Sequence, residues 1–518
     1  MAVDLRAAQE RVDQLFSQRQ KLEIYWDTAY RFMLPEHAQF FSSSKHDTPG
    51  ELAEEVFDST ASDSAERLAN LILSRLTPPW GRWFRLAPGM LATTDEQKEQ
   101  MRAPADMVVE RMHRALLRSN FYQEFQPMLL DRIIGGTGAL AVERKPELKF
   151  RCVPLTGVAI EEDGNGVVGT VAQRLTMSLA QVKRAFPEAD FSELERQVKD
   201  PHKADVELYI MSEREVDGAY LTITFDKKTK TLLRKDITQL PTTLVSRWSK
   251  LPGSAYGRGP GQRALADVRA LNKLKELSLK QALLATASPF TVVDDGVINP
   301  LTVNIEPGAL IPVASNDLNN PSIRLLEGAT KFDVSMFSMD RLRGEIKAVF
   351  MQDQFSALER TPRSATEVAE RSRIIAQDLG ASIARLQEEV LVPVLRIVYQ
   401  ALADVGELPD GFDIDGGALK VEFTSFLAQS QWQADEQAIL EMLSFSAQFG
   451  EIDPEAGMVI NYAVAMRKLA TLKGIPGEML RSNQEVQQLL QQGAEGQAAL
   501  QQAGGENVAG SGPAPQGQ

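Results

Sequence analysis

Two helical segments on either side of a stretch without helical pattern constrain the fold of this chain most. Apolar residues recur at spacings of three and four along 262–287 and along 333–350, as on the buried face of a helix. About 25 residues at ~1.5 Å each make the first helix ~37 Å long. The stretch between them, 288–332, is rich in proline, glycine, asparagine and β-branched residues, which predicts a small β-rich tip. The apolar faces are Leu265, Val268, Leu271, Leu274 and Leu277 in the first helix, and Val334, Phe337, Leu342, Ile346 and Val349 in the second.

The segments next to this helix pair also have recognisable boundaries. Pro260 follows a run of glycines and can occupy the first position of a helix. A hinge, 351–363, follows the second helix. A long helix then begins at Ser364, where Glu367 three residues later completes a capping box. Pro393 lies inside this helix and removes one backbone hydrogen bond, so we predict a bend there.

The remaining chain is predicted to be helical except for one central lobe. Between Ala139 and Trp248, short alternating runs are separated by turn residues, and Asp163-Gly164-Asn165-Gly166 contains dipeptides favoured in hairpins. This pattern predicts an antiparallel α+β lobe. The last residues, 493–518, contain no basic residue and are predicted to be disordered. Further helices are predicted at 5–33, 58–76, 103–119, 122–134, 432–449, 455–472 and 478–492.

Charge and cysteine content limit the class of protein. The net charge is −14, from 56 basic and 70 acidic residues, which argues against a protein that clamps nucleic acid by neutralising phosphates. A channel whose DNA must slide is compatible with this charge, because repulsive walls with local basic points favour sliding. The single cysteine excludes an internal disulfide framework. No stretch approaches the ~18 apolar residues that a membrane helix needs.

No catalytic constellation or cofactor motif is convincing. The four histidines are far apart, so no metal site is predicted. Gly136–Ala141 matches the dinucleotide pattern, but a helix precedes it and a strand follows, the reverse of the required order. Gly257–Gly261 lacks the Gly-Lys-Ser/Thr ending of a phosphate loop. The aromatic cluster at 80–86 is interpreted as a core or interface plug, with base stacking as the alternative.

Several strings in this order resemble the portal proteins of short-tailed, podovirus-type bacteriophages. The strings are Leu76-Thr77-Pro78-Pro79 with Trp83-Phe84; Tyr256-Gly257-Arg258-Gly259-Pro260-Gly261 with Ala264-Leu265 and Leu271-Asn272; and Ser364-Ala365-Thr366-Glu367-Val368 with Leu386-Gln387-Glu388-Glu389 and Pro393. Each string alone is weakly specific, whereas their order and spacing cover about residues 5–480. The resemblance implies an α+β, mainly α, portal-type subunit with wing, stem helices, a small β-rich clip and a helical crown.

The resemblance also implies a division of the chain. The expected parts are an N-terminal helical part of the wing (1–135), an α+β wing lobe (136–255), stem helix 1 (256–287), the clip (288–332), stem helix 2 (333–350), a tunnel loop (351–363), a long kinked wing helix and strand (364–430), a helical crown (431–492) and the disordered tail (493–518).

The implied function is a non-enzymatic ring channel, without cofactor, for packaging and ejecting double-stranded DNA at a capsid vertex. The implied partners are eleven further copies in a dodecamer, the terminase large subunit, tail or adaptor proteins, and the major capsid and scaffolding proteins, with no membrane. The protein would reside in the virion, and in the host cytoplasm during assembly. Candidate DNA-channel residues are Arg343, Lys347, Gln352, Gln354, Arg360 and Arg363. A non-channel capsid or tail adaptor scaffold is the alternative, and an enzyme that uses the glycine-rich segments is a third hypothesis.

Overall fold

The structure is a computed structural model that describes a defined set of residues. These are 4–35, 56–88, 95–144, 147–197, 205–286, 290–292, 323–325, 332–352, 378–408, 419–424, 435–446, 448, 460–472 and 486. The chain divides into two compact units, Met1–Ser74 with Asn120–Pro393, and Arg75–Ser119 with Val394–Gln518. The predicted first segment, 1–135, is therefore shared between both units.

Most of the described helices lie where the apolar spacing predicts them, whereas the helix Ser192–Gln197 was not predicted and most of 478–492 lies outside the described residues. They are α1 (Leu5–Met33), α2 (Thr60–Leu76), α3 (Asp95–Arg118), α4 (Phe121–Ile134), α5 (Leu179–Ala185), α6 (Ser192–Gln197), α7 (Pro260–Thr286), α8 (Phe332–Val349), α9 (Val392–Asp404) and α10 (Tyr462–Leu472). Further helical residues lie at 378–386 and 435–446. The two helices predicted around the β-rich tip are confirmed as α7 and α8.

Helix α1 contains a buried arginine in its apolar stripe. Asp4 caps the helix by accepting hydrogen bonds from the backbone N–H groups of Arg6 and Ala7. Arg19 is buried and donates to backbone carbonyls of the 3-10 turn Leu155–Gly157 and the residue after it. The guanidinium therefore satisfies carbonyls that would otherwise be unpaired.

The central lobe is antiparallel, as predicted. A five-stranded sheet has the order β4 (Val158–Glu162), β5 (Val168–Ser178), β6 (Asp205–Arg214), β7 (Tyr220–Asp226) and β8 (Leu232–Thr238), and a three-stranded sheet has the order β3 (Lys149–Val153), β2 (Thr137–Glu143) and β9 (Thr243–Arg247). The predicted hairpin turn joins β4 to β5, with Gly166 at φ +77°. Helix α5 carries a capping box between Ser178 and Gln181.

The tip and the long helix are described in part. Strands β10 (Phe290–Val292) and β11 (Ile323–Leu325) pair antiparallel, so β structure within 288–332 is confirmed for those residues. The residues 353–377 lie outside the described set, as does the predicted tail. A π-turn, Gln387–Leu391, lies directly before α9, whose second residue is Pro393. The bend at Pro393 stays a prediction. Among the described residues, no helix is long and apolar enough to cross a membrane.

The second unit contains a small aromatic core. Strands β1 (Phe84–Pro88) and β12 (Leu419–Phe423) pair antiparallel, and Arg85 forms an ion pair with Glu422 across them at 2.7 Å. Helix α3 packs against β1. Trp83 and Phe84 are fully buried and contact each other edge to face at 4.8 Å between ring centroids.

Candidate functional site

The α7–α8 pair begins at a close approach of two glycine-rich backbones. A Cβ atom on Gly136 would collide with the backbone of Gly257, and one on Gly257 would collide with the carbonyl of Gly136. A Cβ on Gly259 would likewise meet the backbone carbonyl oxygen of Ile133. Gly136 also has φ +81°, a conformation that glycine adopts readily. The absence of a side chain at these glycines thus lets the backbone of the loop before α7 pack directly against the turn between α4 and β2.

Hydrogen bonds hold this glycine contact in register. The backbone N–H of Trp248 donates to the carbonyl of Gly136 at 2.9 Å. The Gly257 N–H donates to Oγ1 of Thr137 at 3.0 Å, and Nε2 of Gln262 donates to the carbonyl of Gly135 at 3.0 Å. The two glycine motifs that sequence analysis judged unfit for nucleotides are therefore parts of one packing contact.

A buried cluster of charges, which we call the Arg247 cluster, lies beside the glycine contact. It consists of Arg247, Glu389, Glu162 and Lys250. Glu389 accepts three hydrogen bonds from Arg247: from the backbone N at 2.8 Å, from Nε at 2.9 Å and from Nη2 at 2.7 Å. Glu162 pairs with both Arg247 and Lys250. The cluster joins the π-turn of the long helix to β9 and β4.

A second arginine secures the same helix from inside the core. Arg132 of α4 is fully buried and donates to the carbonyl of Ser382 at 2.6 Å and to its hydroxyl at 2.9 Å. Its Nε donates to the hydroxyl of Ser246 at 2.9 Å. Burial lowers the pKa of Arg132 to about 9. The side chain lies over the ring of Trp248, 4.9 Å from the centroid.

Two consecutive residues before α2 tie α7 to α8. The backbone N–H of Phe57 donates to Oδ1 of Asn272 at 2.7 Å. Asp58 accepts from Nη2 and Nε of Arg343 at 2.7 and 3.1 Å. Burial acts to raise the pKa of Asp58, but hydrogen bonds from Thr60 and Arg343 outweigh it, and the pKa is lowered. The hydrogen bond to Asp58 raises the pKa of Arg343.

The outer ends of α7 and α8 expose large apolar side chains. The inner half of the pair is buried through Ala264, Val268 and Leu271 of α7 and Met339, Ile346 and Phe350 of the α8 segment. The outer exposed residues are Leu277, Leu279, Leu283, Met336 and Phe337. Sequence analysis assigned Leu277 and Phe337 to buried faces. That assignment is wrong for the isolated subunit, because Leu277 is 46% and Phe337 is 73% exposed.

The candidate DNA-channel residues differ in their ion pairs and in their exposure. Arg343 is engaged by Asp58 and by Asp340, the latter at 2.9 Å, so its charge is balanced within the subunit. Lys347 is exposed on α8, and Gln352 is half-buried just after Met351, which has φ +59°. The other three candidates, Gln354, Arg360 and Arg363, lie outside the described residues. The structure thus brings Arg343 and Lys347 onto one helix.

The residues that hold these helices in place were not predicted from the sequence. Asp58 and Asn272 hold the α7–α8 pair, and Arg247 and Glu389 hold the long helix. All four are polar residues that no periodic pattern distinguishes from surface positions. The available signals were weak. Asn272 interrupts the apolar stripe of α7, and Arg247 lies in a strand whose other residues are buried. Their partners are 142 to 285 residues away in the chain, so their pairing depends on the fold.

The aromatic cluster at 80–86 contains both buried and exposed residues. Trp83 and Phe84 pack with His113, whose ring stacks on Phe84 at 4.4 Å, as a core plug would. Trp80 is 85% exposed on a turn closed by a hydrogen bond from the Gly81 N–H to the Pro78 carbonyl at 3.2 Å. The core interpretation is therefore confirmed for Trp83 and Phe84. Trp80 lies outside this core, so for Trp80 the interface and base-stacking interpretations stay predictions.

Catalytic and metal chemistry finds little support in the described part of the chain. No group of three or more His, Cys, Asp or Glu residues there could hold a metal ion. Cys152 is a half-buried residue of β3. Burial raises the pKa of its thiol, which opposes formation of the reactive thiolate. The helix-before-strand order predicted around Gly136 is confirmed by α4 and β2.

Comparison with known proteins gives long matches. The family described as "Bacteriophage head to tail connecting protein" matches residues 5–480. A probable portal protein of Bordetella phage BPP-1 is 26% identical over 516 residues, which cover 95% of this chain and 91% of that protein. The portal protein of Salmonella phage epsilon15 is 23% identical, with 96% and 92% covered. The portal protein of Enterobacteria phage T3 is 24% identical, with 79% and 74% covered.

Proposed function

Because this chain belongs to the bacteriophage head-to-tail connecting protein family, we propose that it is the portal subunit of a phage capsid. Copies of the chain assemble into a ring, most simply a dodecamer, at one vertex of the virion. Double-stranded DNA passes through the ring during packaging and ejection. The ring assembles in the host cytoplasm and acts as a structural component without catalytic activity, so the energy for packaging comes from another protein.

The observation that carries this proposal is the arrangement of α7 and α8. The glycine contact fixes the start of α7 in the subunit core, and Phe57 and Asp58 join α7 to α8. The outer half exposes five large apolar side chains. An isolated soluble subunit gains nothing from such exposure, whereas packing against neighbouring copies removes these side chains from water. A pair of helices fixed at one end and apolar at the other suits the wall of a ring.

The partners are those that the family resemblance implies. The segment 288–332 would present the clip that docks the terminase large subunit and later tail or adaptor proteins. The wing would contact the major capsid and scaffolding proteins. DNA contacts are assigned to Lys347, Gln352, Gln354, Arg360 and Arg363, with Arg343 as a weaker candidate because Asp58 already binds it.

Ring formation is tested with the purified full-length chain. We expect negative-stain images of rings with a central hole wide enough for duplex DNA. Native mass spectrometry should give one dominant oligomer. A strictly monomeric particle at micromolar concentration would refute the ring. A closed assembly without a hole would favour the alternative, a non-channel capsid or tail adaptor scaffold.

The DNA assignment has its own test. Reversing the charge of Arg360 and Arg363 to Glu should leave ring assembly intact and reduce the amount of DNA packaged or retained. The control is Arg184→Glu, which changes an exposed arginine of α5 in the wing lobe. If the Arg360 and Arg363 variants fail to assemble, these residues are structural. If they package DNA normally, the assignment of the hinge to the channel is wrong.

A further inference from the structure

The height of a residue, meaning its position along the axis of α7 or α8, can be compared between the two helices because the consecutive residues Phe57 and Asp58 bind both helices. Phe57 binds Asn272 of α7, and the next residue, Asp58, binds Arg343 of α8, which places these two positions at similar levels. The buried ends are the start of α7 and the end of α8, so the helices run antiparallel. Leu277 is five residues outward from Asn272, or ~7.5 Å, and Phe337 is six outward from Arg343, or ~9 Å. Leu277 and Phe337 therefore lie at nearly the same height.

These two side chains lie on the side of each helix opposite its buried stripe. At ~100° per residue, Leu277 lies about 150° around α7 from the buried stripe of Ala264, Val268 and Leu271. Phe337 lies about 160° around α8 from its buried stripe of Met339, Ile346 and Phe350. Both are exposed, as reported above. The subunit thus carries one outward apolar residue on each side of the helix pair, at matching height.

The two outward faces also differ in charge. Arg269, Lys273, Glu276 and Lys280 lie near Leu277 on α7, which gives +3 − 1 = +2. The face of α8 around Phe337 carries Asp340, Arg341 and Glu345, which gives +1 − 2 = −1. Lys273 and Lys280 pair with Glu276 within α7, and the charges of α8 pair within their own helix. Apart from Glu276 these side chains remain largely exposed, so they are available to a neighbour. Opposite net charge favours contact between unlike faces.

We propose that Leu277 of one subunit packs against Phe337 of the next subunit around the ring. Rotation about a single axis moves each subunit without a shift along the axis, so residues that meet between neighbours must have equal heights. The contact joins two different faces, which is the type that generates a closed ring rather than a dimer. This inference rests on the ring proposed above and identifies which residues form its wall.

Disulfide trapping tests the contact in the full-length chain. The double variant Leu277→Cys with Phe337→Cys is assembled and then oxidised with copper phenanthroline. Outward positions on two packed helices lie more than about 10 Å apart, too far for a disulfide within one subunit. We expect a covalent ladder from dimer up to the ring number. Cys152 contributes little, since its buried thiol has a raised pKa.

The controls separate this contact from other arrangements. After oxidation, each single cysteine variant should run as a monomer on a non-reducing denaturing gel. The reason is that Leu277 contacts Phe337 of the neighbour and not the neighbour's Leu277. The pair Ile24→Cys with Leu277→Cys combines an equally exposed residue of α1, at 72%, and should give no ladder. Intact rings without a ladder from the Leu277–Phe337 pair would overturn the contact and leave the ring proposal standing. Dimers from one single variant would show a symmetric contact instead. Absence of rings in the wild type would defeat the proposed function itself.

A second variant covers the case in which the cysteine pair does not assemble. Phe337→Ser should raise the protein concentration needed for half-assembly at least tenfold, since burying such a side chain contributes ~1.5–3 kcal/mol. Ile24→Ser should leave that concentration unchanged. Mass photometry measures the ring fraction, and the thermal midpoint reports folding. Equal assembly of the two variants would refute the contact.

Discussion

Replacing Glu389 by Gln should loosen the attachment of the long helix to the sheet lobe. The side chain of Arg247 is 4% exposed and that of Glu389 is 14% exposed, so this ion pair is screened little by water. Both carboxylate oxygens are used, Oε2 by the Arg247 backbone and Oε1 by its guanidinium. Glutamine keeps one acceptor and turns an N–H₂ donor toward the donors of Arg247. In either orientation of the amide, Arg247 loses one of its two acceptors, the one for its backbone N–H or the one for its guanidinium.

The expected cost is near the lower end of the range for breaking a buried pair. Removing one partner of such a pair costs ~3–5 kcal/mol. Glu162 still contacts Arg247 and balances part of its charge, which argues for about 3 kcal/mol. Since ~1.4 kcal/mol corresponds to a factor of ten, local opening of the helix becomes roughly 100-fold more frequent.

Native-state hydrogen exchange measures this opening directly. Amides of 378–391 and of β9 should exchange about 100-fold faster in the variant, while those of β6 and β7 should change little. The control is Glu195→Gln, which removes the exposed partner of Lys183 in the same unit and should cost ~0–1 kcal/mol. An effect below tenfold, or equal effects in both variants, would show that the Arg247 cluster does not hold the helix.

Three further predictions address packing and protonation. Gly259→Ala should cost about 1–3 kcal/mol through overlap with the C-terminal backbone of α4, seen as a lower thermal midpoint, whereas Gly164→Ala meets no atom within 4 Å and should be neutral. Burial raises the pKa of Asp131 from 3.8 to about 6. The folded state therefore binds more protons than the unfolded state between about pH 4 and 6, and its free energy of unfolding falls as the pH rises through that window. Asp131→Asn should remove this slope in urea unfolding series, and an unchanged slope would contradict the assignment. Trp83→Ala should destabilise its unit by ~3–5 kcal/mol, and Trp80→Ala by less than ~0.5 kcal/mol, in chemical unfolding; a similar loss in both would contradict their opposite burial.

Local chemistry explains which parts of the fold were predictable. Spacings of three and four predicted α1, α7 and α8 to within a few residues, because each helix buries one stripe along its own length. Alternation and turn residues predicted β5, β6, β7 and β9 for the same reason. Strand β8 was not predicted, since its exposed edge carries Arg234 and Lys235 rather than an alternating apolar pattern.

The candidate site was less predictable than the fold. Arg343 and Lys347 were predicted as candidate DNA-channel residues, yet Arg343 is bound by Asp58, 285 residues earlier in the chain. The charge of a side chain is visible in the sequence, whereas its partner depends on chain segments brought together by folding. Three of the six candidates lie outside the described residues, so their assignment to DNA stays a prediction.

The sequence alone determined the helix pair, its β-rich tip, the antiparallel lobe and the family resemblance, because these depend on patterns that short stretches of chain carry by themselves. Tertiary structure decided the rest. It showed that the glycines of two distant motifs meet backbone to backbone, and that Arg247 and Glu389 share a buried pair. It also showed that Leu277 and Phe337, apolar by sequence, face outward. Periodicity identifies an apolar residue, but only packing establishes whether the subunit itself covers that residue or leaves it for a neighbour.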